Sequence, residues 1–239
     1  MNLFYSPNLL YNNILPEDES THAVKVLRLK NGDEIDLIDG KGLYCKAKIT
    51  LAHSKHCEFQ IIEKIFTEKN RTFSLHIAIA PTKNIDRFEW FVEKSSEIGV
   101  DTITPLLCHF SQRKTLKTER LEKIIVAACK QSQNFYFPQI KELTNFETFL
   151  QQIGNDNVCQ KYIAHCYQCE KPLLQSICLL ATNTIILIGP EGDFSREEVL
   201  LAEKYGFVSV SLGSSRLRTE TAGMISCAMV QFVNHREIS

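Results

Sequence analysis

The pattern of apolar and polar residues changes near residue 70. Before residue 70, apolar and polar residues alternate with a period of two within short segments, which is typical of strands with one buried face. Such segments cover residues 33–38, 44–49 and 58–65, and the Gly-rich run 39–42 lies between the first two as a turn signal. The pattern predicts a small β-barrel over residues 1–70.

After a polar linker around residues 67–73, apolar strands alternate with amphipathic helices. This order builds a mostly parallel sheet with helices on its faces, so we predict an α/β domain over residues 74–239. The predicted strands cover 75–80, 102–107, 161–165, 184–188 and 207–212, and the predicted helices lie near 86–98, 121–128, 146–153, 195–206 and 221–235. The pairs Asp86 with Glu89 and Ser195 with Glu198 have the spacing of capping boxes.

Composition and charge narrow the class of protein. The 44% hydrophobic content is that of a globular chain, and 27 basic against 28 acidic residues give a net charge of −1. A nucleic-acid partner would therefore need a local basic surface. No apolar run approaches the ~20 residues of a membrane span, and the N-terminus lacks the order of a signal peptide. We expect a cytoplasmic protein with no membrane partner.

The nine cysteines are scattered through apolar stretches, which favours reduced thiols that act as small hydrophobic side chains. One cluster has an alternative interpretation. Cys166 and Cys169 have the spacing of half a zinc ribbon, with Cys159, His165 and Cys178 nearby. No second C-x-x-C follows, so we predict no metal site.

Two loops that follow predicted strands are candidates for a ligand site, because open parallel sheets bind ligands beyond the carboxyl ends of their strands. The first, residues 188–195, carries Gly189, Pro190 and Gly192, and its stiff backbone suits a flat heterocycle read by main-chain hydrogen bonds. The second, residues 212–222, carries Arg218 and Glu220. The sequence holds neither a P-loop nor a G-x-G-x-x-G after a strand, which argues against an NTPase or a dinucleotide dehydrogenase.

Residues 111–130 form a basic stretch with six basic and two acidic side chains, a local charge of +4. Such a stretch is either the solvated face of an amphipathic helix or the phosphate-contacting surface of an RNA-binding protein. Lys25, Arg28 and Lys30 form a smaller basic group in the N-terminal part.

These motifs together resemble the RsmE family of ribosomal RNA methyltransferases, which belong to the SPOUT class. The resemblance covers nearly the whole chain and is most specific in the second loop, where eight positions match: Leu212, Gly213 and residues 217–222, Leu-Arg-Thr-Glu-Thr-Ala. The other matching segments are residues 22–28 with Gly32 and Asp33, the residues Lys83, Arg87, Glu89, Lys94, Glu97, Gly99 and Pro105, then Gln131, Ser132 and Pro138, and residues 189–192. The chain departs from the family pattern at Asp193, where a glycine is common, at Asn134 and at Ser215.

The resemblance implies an N-terminal PUA-like RNA-binding β-barrel over 1–70 and a C-terminal SPOUT methyltransferase domain over 74–239 with a trefoil knot. It also implies S-adenosylmethionine as methyl donor and a homodimer whose knotted loops form the cofactor pocket. The implied reaction is methylation of uridine N3, at uridine 1498, in the 16S RNA of the small ribosomal subunit.

The chemistry of this implied reaction suggests roles for individual residues. We expect Arg218 to stabilise the developing anion and Glu220 to accept the proton or to orient Arg218, with Glu191 as the second candidate base. The residues expected to bind the cofactor are Ala80, Pro81, Ile188, Gly189, Pro190, Gly192, Leu212, Gly213, Leu217, Arg218, Thr221 and Ala222. The residues expected to bind RNA are Lys25, Arg28, Lys30, Lys83, Arg87, Arg113, Lys114, Lys117 and Arg120.

Two alternatives stay open from the sequence. One is a related SPOUT methyltransferase that acts on another RNA or on a ribose hydroxyl, since the loops look alike across such enzymes. The other is a catalytically silent RNA-binding or ribosome-assembly factor, against which the intact loops 189–192 and 217–222 argue. An α/β hydrolase is disfavoured because the sequence lacks a G-x-S-x-G elbow.

Overall fold

The computed structural model describes residues 2–69, 71–154 and 159–235. The chain divides into two compact units, one formed by residues 1–70 and 126–137 and the other by residues 71–125 and 138–239. The sequence-based division into 1–70 and 74–239 did not include the segment 126–137 in the first unit.

The first unit is built on a four-stranded sheet in the order β1-β2-β3-β4. Its strands are β1 (Leu3–Tyr5), β2 (Glu34–Ile38), β3 (Leu43–Leu51) and β4 (Glu58–Phe66), and α1 (Glu17–Thr21) continues into a π-helical turn (His22–Val26). β1 pairs parallel with β2, and the other pairs are antiparallel. The three alternating segments were predicted correctly as strands because their inward residues, among them Leu37, Cys45 and Phe59, fill the core of this unit.

The segment 126–137 is fixed to the first unit by polar contacts. Lys130 Nζ lies 2.7 Å from Glu19 Oε1, and both side chains are largely buried. The Tyr136 hydroxyl donates to the backbone oxygen of Thr67 at 2.7 Å. Partners far apart in sequence make these contacts, so local periodicity does not reveal them.

The second unit holds a parallel sheet in the order β11-β9-β10-β5-β6-β7, with β8 paired to β6. Its strands are β5 (Leu75–Ile79), β6 (Thr102–Leu107), β7 (Gln139–Ile140), β8 (Thr144–Asn145), β9 (Gln160–Ala164), β10 (Thr184–Ile188) and β11 (Val208–Val210). Its helices are α2 (Ile85–Ile98), α4 (Phe146–Ile153), α5 (Leu174–Ile177), α6 (Arg196–Lys204) and α7 (Thr219–Asn234). The helix α3 (Thr118–Ser132) begins in this unit, and its residues from 126 onward belong to the first unit. The predicted parallel α/β architecture is confirmed, whereas the knot stays a prediction.

The two predicted capping boxes have different outcomes. Ser195 and Glu198 form one, because the Ser195 hydroxyl accepts from the Glu198 amide and the Glu198 carboxylate accepts from the Ser195 amide. The box at Asp86 and Glu89 was wrong. The cap of α2 is Asn84, whose side chain accepts from the Asp86 amide at 3.1 Å, and Glu89 instead pairs with Arg120.

The register of the parallel strands sets the position of the site. Ile188 at the end of β10 pairs with both Ala164 of β9 and Ile79 of β5, and Ala164 also pairs with Val210 of β11. Four strands therefore end at the same level and the loops that follow them leave from one edge of the sheet.

Candidate active site

Two adjoining cavities of about 300 and about 320 Å³ lie at this edge. They have five lining residues in common, Ala164, Cys166, Arg216, Leu217 and Ala222. The first cavity is also lined by the predicted site residues Ile188, Gly189, Pro190, Glu191, Arg218 and Glu220. The second is also lined by Leu212 and Gly213. The structure thus brings both predicted loops together.

Four residues predicted to bind the cofactor, Ala80, Pro81, Gly192 and Thr221, line neither cavity. Ala80 is fully buried, and its amide donates to the backbone oxygen of Ile188 at 3.0 Å. Its contact is therefore with the backbone at the start of the first loop, not with the cavities. A Cβ added at Gly192 would lie 2.9 Å from the Cβ of Phe110, which explains the glycine by close packing.

A buried hydrogen bond joins the two loops directly. The Thr219 hydroxyl donates to the backbone oxygen of Gly189 at 3.0 Å, and Thr219 is 5% exposed. Thr219 sits at the start of α7, so the same contact fixes the position of that helix relative to the loop after β10.

Asp193 joins a third loop to the site. Its carboxylate accepts from the Cys166 amide at 2.8 Å and from the Phe194 amide at 2.9 Å. Its φ of +69° lies in the left-handed region, which explains why glycine is common here in the family pattern. Aspartate tolerates this region better than most residues, so the departure preserves the loop conformation. The sequence did not indicate Ala164 or Cys166 as residues of the ligand site, because the loop after β9 has no glycine and the spacing of Cys166 and Cys169 indicates only half of a zinc ribbon.

Glu220 is the buried carboxylate of the site. It lies in the first turn of α7 and is 7% exposed. Its Oε1 lies 3.9 Å from Nε of Arg87, and its Oε2 is buried and has no hydrogen-bond partner within the described part of the chain. A buried carboxylate oxygen that lacks a donor is costly, and such atoms are typical of functional sites. Arg218, the N-cap residue of α7, is exposed at the rim of the same cavity.

Glu191, the second candidate base, has a different environment. One of its carboxylate oxygens accepts from the backbone amide of Lys83 at 2.8 Å. Arg113 donates to the backbone oxygens of Thr82 and Lys83, at 3.1 and 2.9 Å. Glu191 and Arg113 therefore both hold the loop after β5, which gives each a structural role that the sequence did not reveal.

Two glycines meet separate requirements. Gly213 has a φ of +132° and nothing within 4 Å of an added Cβ, so its backbone conformation, not space, requires glycine. At Gly223 an added Cβ would lie 2.6 Å from Phe91 and 2.8 Å from Ile79. Gly223 therefore lets α7 pack closely on α2 and β5, a role that sequence reasoning missed.

Most residues predicted to bind RNA are exposed. In the first unit these are Lys25, Arg28 and Lys30, and in the second they are Lys83, Arg87, Lys114, Lys117 and Arg120. Arg113 is only partly exposed because of its backbone contacts. Their role in RNA binding stays a prediction.

Metal-ligating residues do not assemble in the described ranges, where no group of three His, Cys, Asp or Glu side chains has the geometry to hold an ion. Cys166 and Cys169 are exposed free thiols. Burial raises the pKa of Cys129 and of Cys227 to about 12, so these thiols stay protonated and pack as small apolar groups. Of the described helices, none has the length and apolar character to cross a membrane.

Comparison with known proteins decides the family. A model of the RNA methyltransferase domain matches residues 68–231, and a model of the RNA methyltransferase PUA domain matches residues 15–62. The ribosomal RNA small subunit methyltransferase E of Buchnera aphidicola subsp. Acyrthosiphon pisum is 33% identical over 225 aligned positions, and the alignment covers 90% of this chain and 85% of the relative. The chain belongs to the ribosomal RNA small subunit methyltransferase E family.

Two solved structures support the assignment to the methyltransferase E family. A probable rRNA methyltransferase from Porphyromonas gingivalis is 37% identical, with a TM-score of 0.91 over 98% of each chain. The ribosomal RNA small subunit methyltransferase E of Neisseria gonorrhoeae, solved with S-adenosyl methionine bound, is 26% identical, with a TM-score of 0.85 over 98% of each chain. The family resemblance is confirmed, as are the N-terminal PUA domain and the C-terminal α/β methyltransferase domain.

Proposed function

We propose that this protein transfers a methyl group from S-adenosylmethionine to N3 of a uridine in the RNA of the small ribosomal subunit. The observation that carries the proposal is the Glu220 carboxylate, which is buried in a cavity formed by the two glycine loops and has an oxygen free to accept a hydrogen bond. The cofactor-bound relative from Neisseria gonorrhoeae supports the choice of methyl donor.

The residues present fit this cofactor. The second cavity offers backbone groups of Leu212, Gly213 and Leu217, and the first offers Gly189 and Ile188, so a nucleoside can be held by main-chain hydrogen bonds at the edge of the sheet. When bound, S-adenosylmethionine supplies an electrophilic methyl group on a positively charged sulfur, which keeps the electron pair of the broken carbon–sulfur bond.

The chain's own residues prepare the acceptor. Uridine N3 carries a proton and is a poor nucleophile until that proton is removed. Glu220 Oε2 accepts the N3 proton, because it is the buried carboxylate oxygen without a donor. Arg218, on the rim of the same cavity, places positive charge beside the uracil carbonyls and stabilises the developing anion. Glu191 takes second place because it already accepts from the Lys83 amide.

RNA recognition and assembly complete the proposal. The exposed basic groups around Arg28 and Lys117 contact RNA phosphates, and the target base leaves its stack to reach the cavity. The protein acts as a homodimer with knotted cofactor loops, in the cytoplasm, where small subunits are its substrate. Light scattering of the purified protein tests the dimer.

The reaction is tested on small ribosomal subunits from cells that lack this protein. The purified protein and labelled S-adenosylmethionine are added, the RNA is digested, and the nucleosides are identified by mass spectrometry. We expect 3-methyluridine at one position. A ribose-methylated nucleoside would contradict the proposed target. Calorimetric binding of S-adenosylmethionine without any methylation would contradict the proposed activity and support a silent assembly factor.

A further inference from the structure

Arg87 was predicted to bind the RNA backbone, but it lines the first cavity, a position that contact with RNA phosphates does not explain. All nine residues predicted to bind RNA lie in the described part of the chain, and among them Arg87 alone lines the first cavity. It lies in the first turn of α2, and its side chain is 43% exposed. The Arg87 side chain is therefore partly buried, and it lines the same cavity as the buried Glu220 carboxylate.

The ion pair of Glu220 is made with Arg87. Nε of Arg87 lies 3.9 Å from Oε1 of Glu220, which is too far for a direct hydrogen bond but close enough for attraction. Arg218 lies two positions before Glu220 in the chain, yet within the described residues the cation at this distance comes from α2. Glu191, Asp193, Arg216 and Arg218 also line the cavity, so the pair lies among charges of both signs.

The pair presents two hydrogen-bonding functions side by side. Glu220 Oε2 is an acceptor without a donor, and the guanidinium of Arg87 is a set of fixed donors. A ligand that satisfies both must carry an N–H donor next to an acceptor oxygen. The N3–H of uracil, flanked by its two carbonyls, has this arrangement.

We propose that Arg87 and Glu220 together read the C4 carbonyl and the N3–H of the target base, so that Arg87 is a specificity-determining residue for uracil. The proposal rests on the proposed function. Cytosine keeps the C2 carbonyl but has a lone pair at N3 and an amino group at C4. Its N3 acceptor would face the Glu220 carboxylate, and its amino donor would face the Arg87 guanidinium. Sites built on buried polar groups reject mismatched partners strongly, because those groups are left unpaired.

The test compares Arg87→Gln, Arg87→Lys and Glu220→Gln, with Glu93→Gln as control. Glu93 also lies on α2 and pairs with Lys94, but it lines neither cavity. The substrates are small subunits from cells that lack the protein, with either uridine or cytidine at the target position. The measurements are kcat, KM for subunits and the Kd of S-adenosylmethionine.

We expect Arg87→Gln to lower kcat on uridine at least tenfold, with KM changed less than threefold and the cofactor Kd within twofold. The rate on cytidine relative to uridine should rise at least tenfold, and Arg87→Lys should recover part of kcat because it restores a charge with fewer fixed donors. The double variant Arg87→Gln/Glu220→Gln should be no slower than Glu220→Gln, since residues that act as a unit do not give additive losses.

Three results would overturn the inference. A raised KM with unchanged kcat and a shallower salt dependence would make Arg87 a phosphate contact. An unchanged preference for uridine would remove its role in specificity, and a large loss of cofactor affinity would make its role structural. If the unaltered protein methylates no uridine, the proposed function itself fails, which is a separate outcome seen before any variant is made.

Discussion

The hydroxyl of Thr219 donates a hydrogen bond to the backbone oxygen of Gly189, and this 3.0 Å contact joins the loop after β10 to the start of α7. Because both partners are buried or line the first cavity, the bond couples the shape of the site to the position of a whole helix.

Thr219→Val should therefore lower both the stability of the folded protein and its affinity for S-adenosylmethionine. The substitution keeps the shape of the side chain but leaves the Gly189 oxygen without its donor, which costs about 1–3 kcal/mol. We expect a lower melting temperature and about tenfold weaker binding of S-adenosylmethionine by calorimetry. Thr219→Ser keeps the hydroxyl and should bind nearly normally. Equal affinity of the Val and Ser variants would show that the bond does not shape the site.

Gly213→Val should abolish cofactor binding while the protein stays folded. At a φ of +132° a β-branched residue forces the loop into another conformation, although nothing within 4 Å obstructs an added Cβ. Gly206→Val is a matched control, because Gly206 has a φ of +84° and equally open surroundings but lines neither cavity. Calorimetry and thermal unfolding separate the two effects. Loss of binding in both variants would make strain alone the cause.

Arg218→Ala should lower turnover strongly and leave the affinity for the cofactor within a few fold. Arg218 is exposed at the rim of the first cavity, so its loss costs little packing but removes charge beside the developing anion. We expect kcat to fall roughly a hundredfold, the scale of one lost electrostatic donor. Arg218→Lys should retain part of the rate. Unchanged turnover on small subunits would exclude Arg218 from the reaction.

Charge reversal at Arg28 or Lys117 should weaken binding to small subunits and reduce its dependence on salt. Both side chains are exposed, and removing a single Lys or Arg from an RNA phosphate lowers the salt slope by about one. Filter binding at several salt concentrations measures this. Lys204→Glu on α6 is the control, since Lys204 is exposed but outside both predicted basic groups. The same slope for all three variants would place the RNA surface elsewhere.

His76 should make folding stability depend on pH. Burial, together with the nearby charge of Lys141, lowers the pKa of His76 from its ordinary 6.5 to about 4, so the folded protein favours the neutral ring. The unfolded chain binds the proton at higher pH. Stability is therefore complete above about pH 6.5 and falls as the pH drops towards 4, by up to about 3 kcal/mol.

Urea unfolding at pH 7 and pH 4.5 checks the effect of His76. The ring nitrogen Nε2 lies 2.8 Å from the Thr104 hydroxyl, and His76→Gln keeps a polar group there without the titration. The variant should lose less stability between the two pH values than the unaltered protein. An identical loss would assign the pH dependence to other groups.

The sequence predicted most of the elements because their causes are local. Apolar alternation gave β2, β3 and β4, and helical spacing gave α2, α4, α6 and α7 close to their observed ends. Capping chemistry was less certain. Ser195 and Glu198 satisfy each other within α6, whereas Glu89 pairs with Arg120 from α3, a partner that no local spacing indicates.

In the candidate site, too, some features follow from neighbouring residues and others from contacts between distant segments. The sequence by itself determined the two loops, their glycines and their charged residues, because strand ends, turns and helix N-termini depend on residues that are neighbours in the chain. Only the tertiary structure decided which loops meet. The order β11-β9-β10-β5 places strands distant in the chain side by side, so it brings Cys166 to Asp193 and Arg87 to Glu220, contacts that exist only after the sheet has assembled.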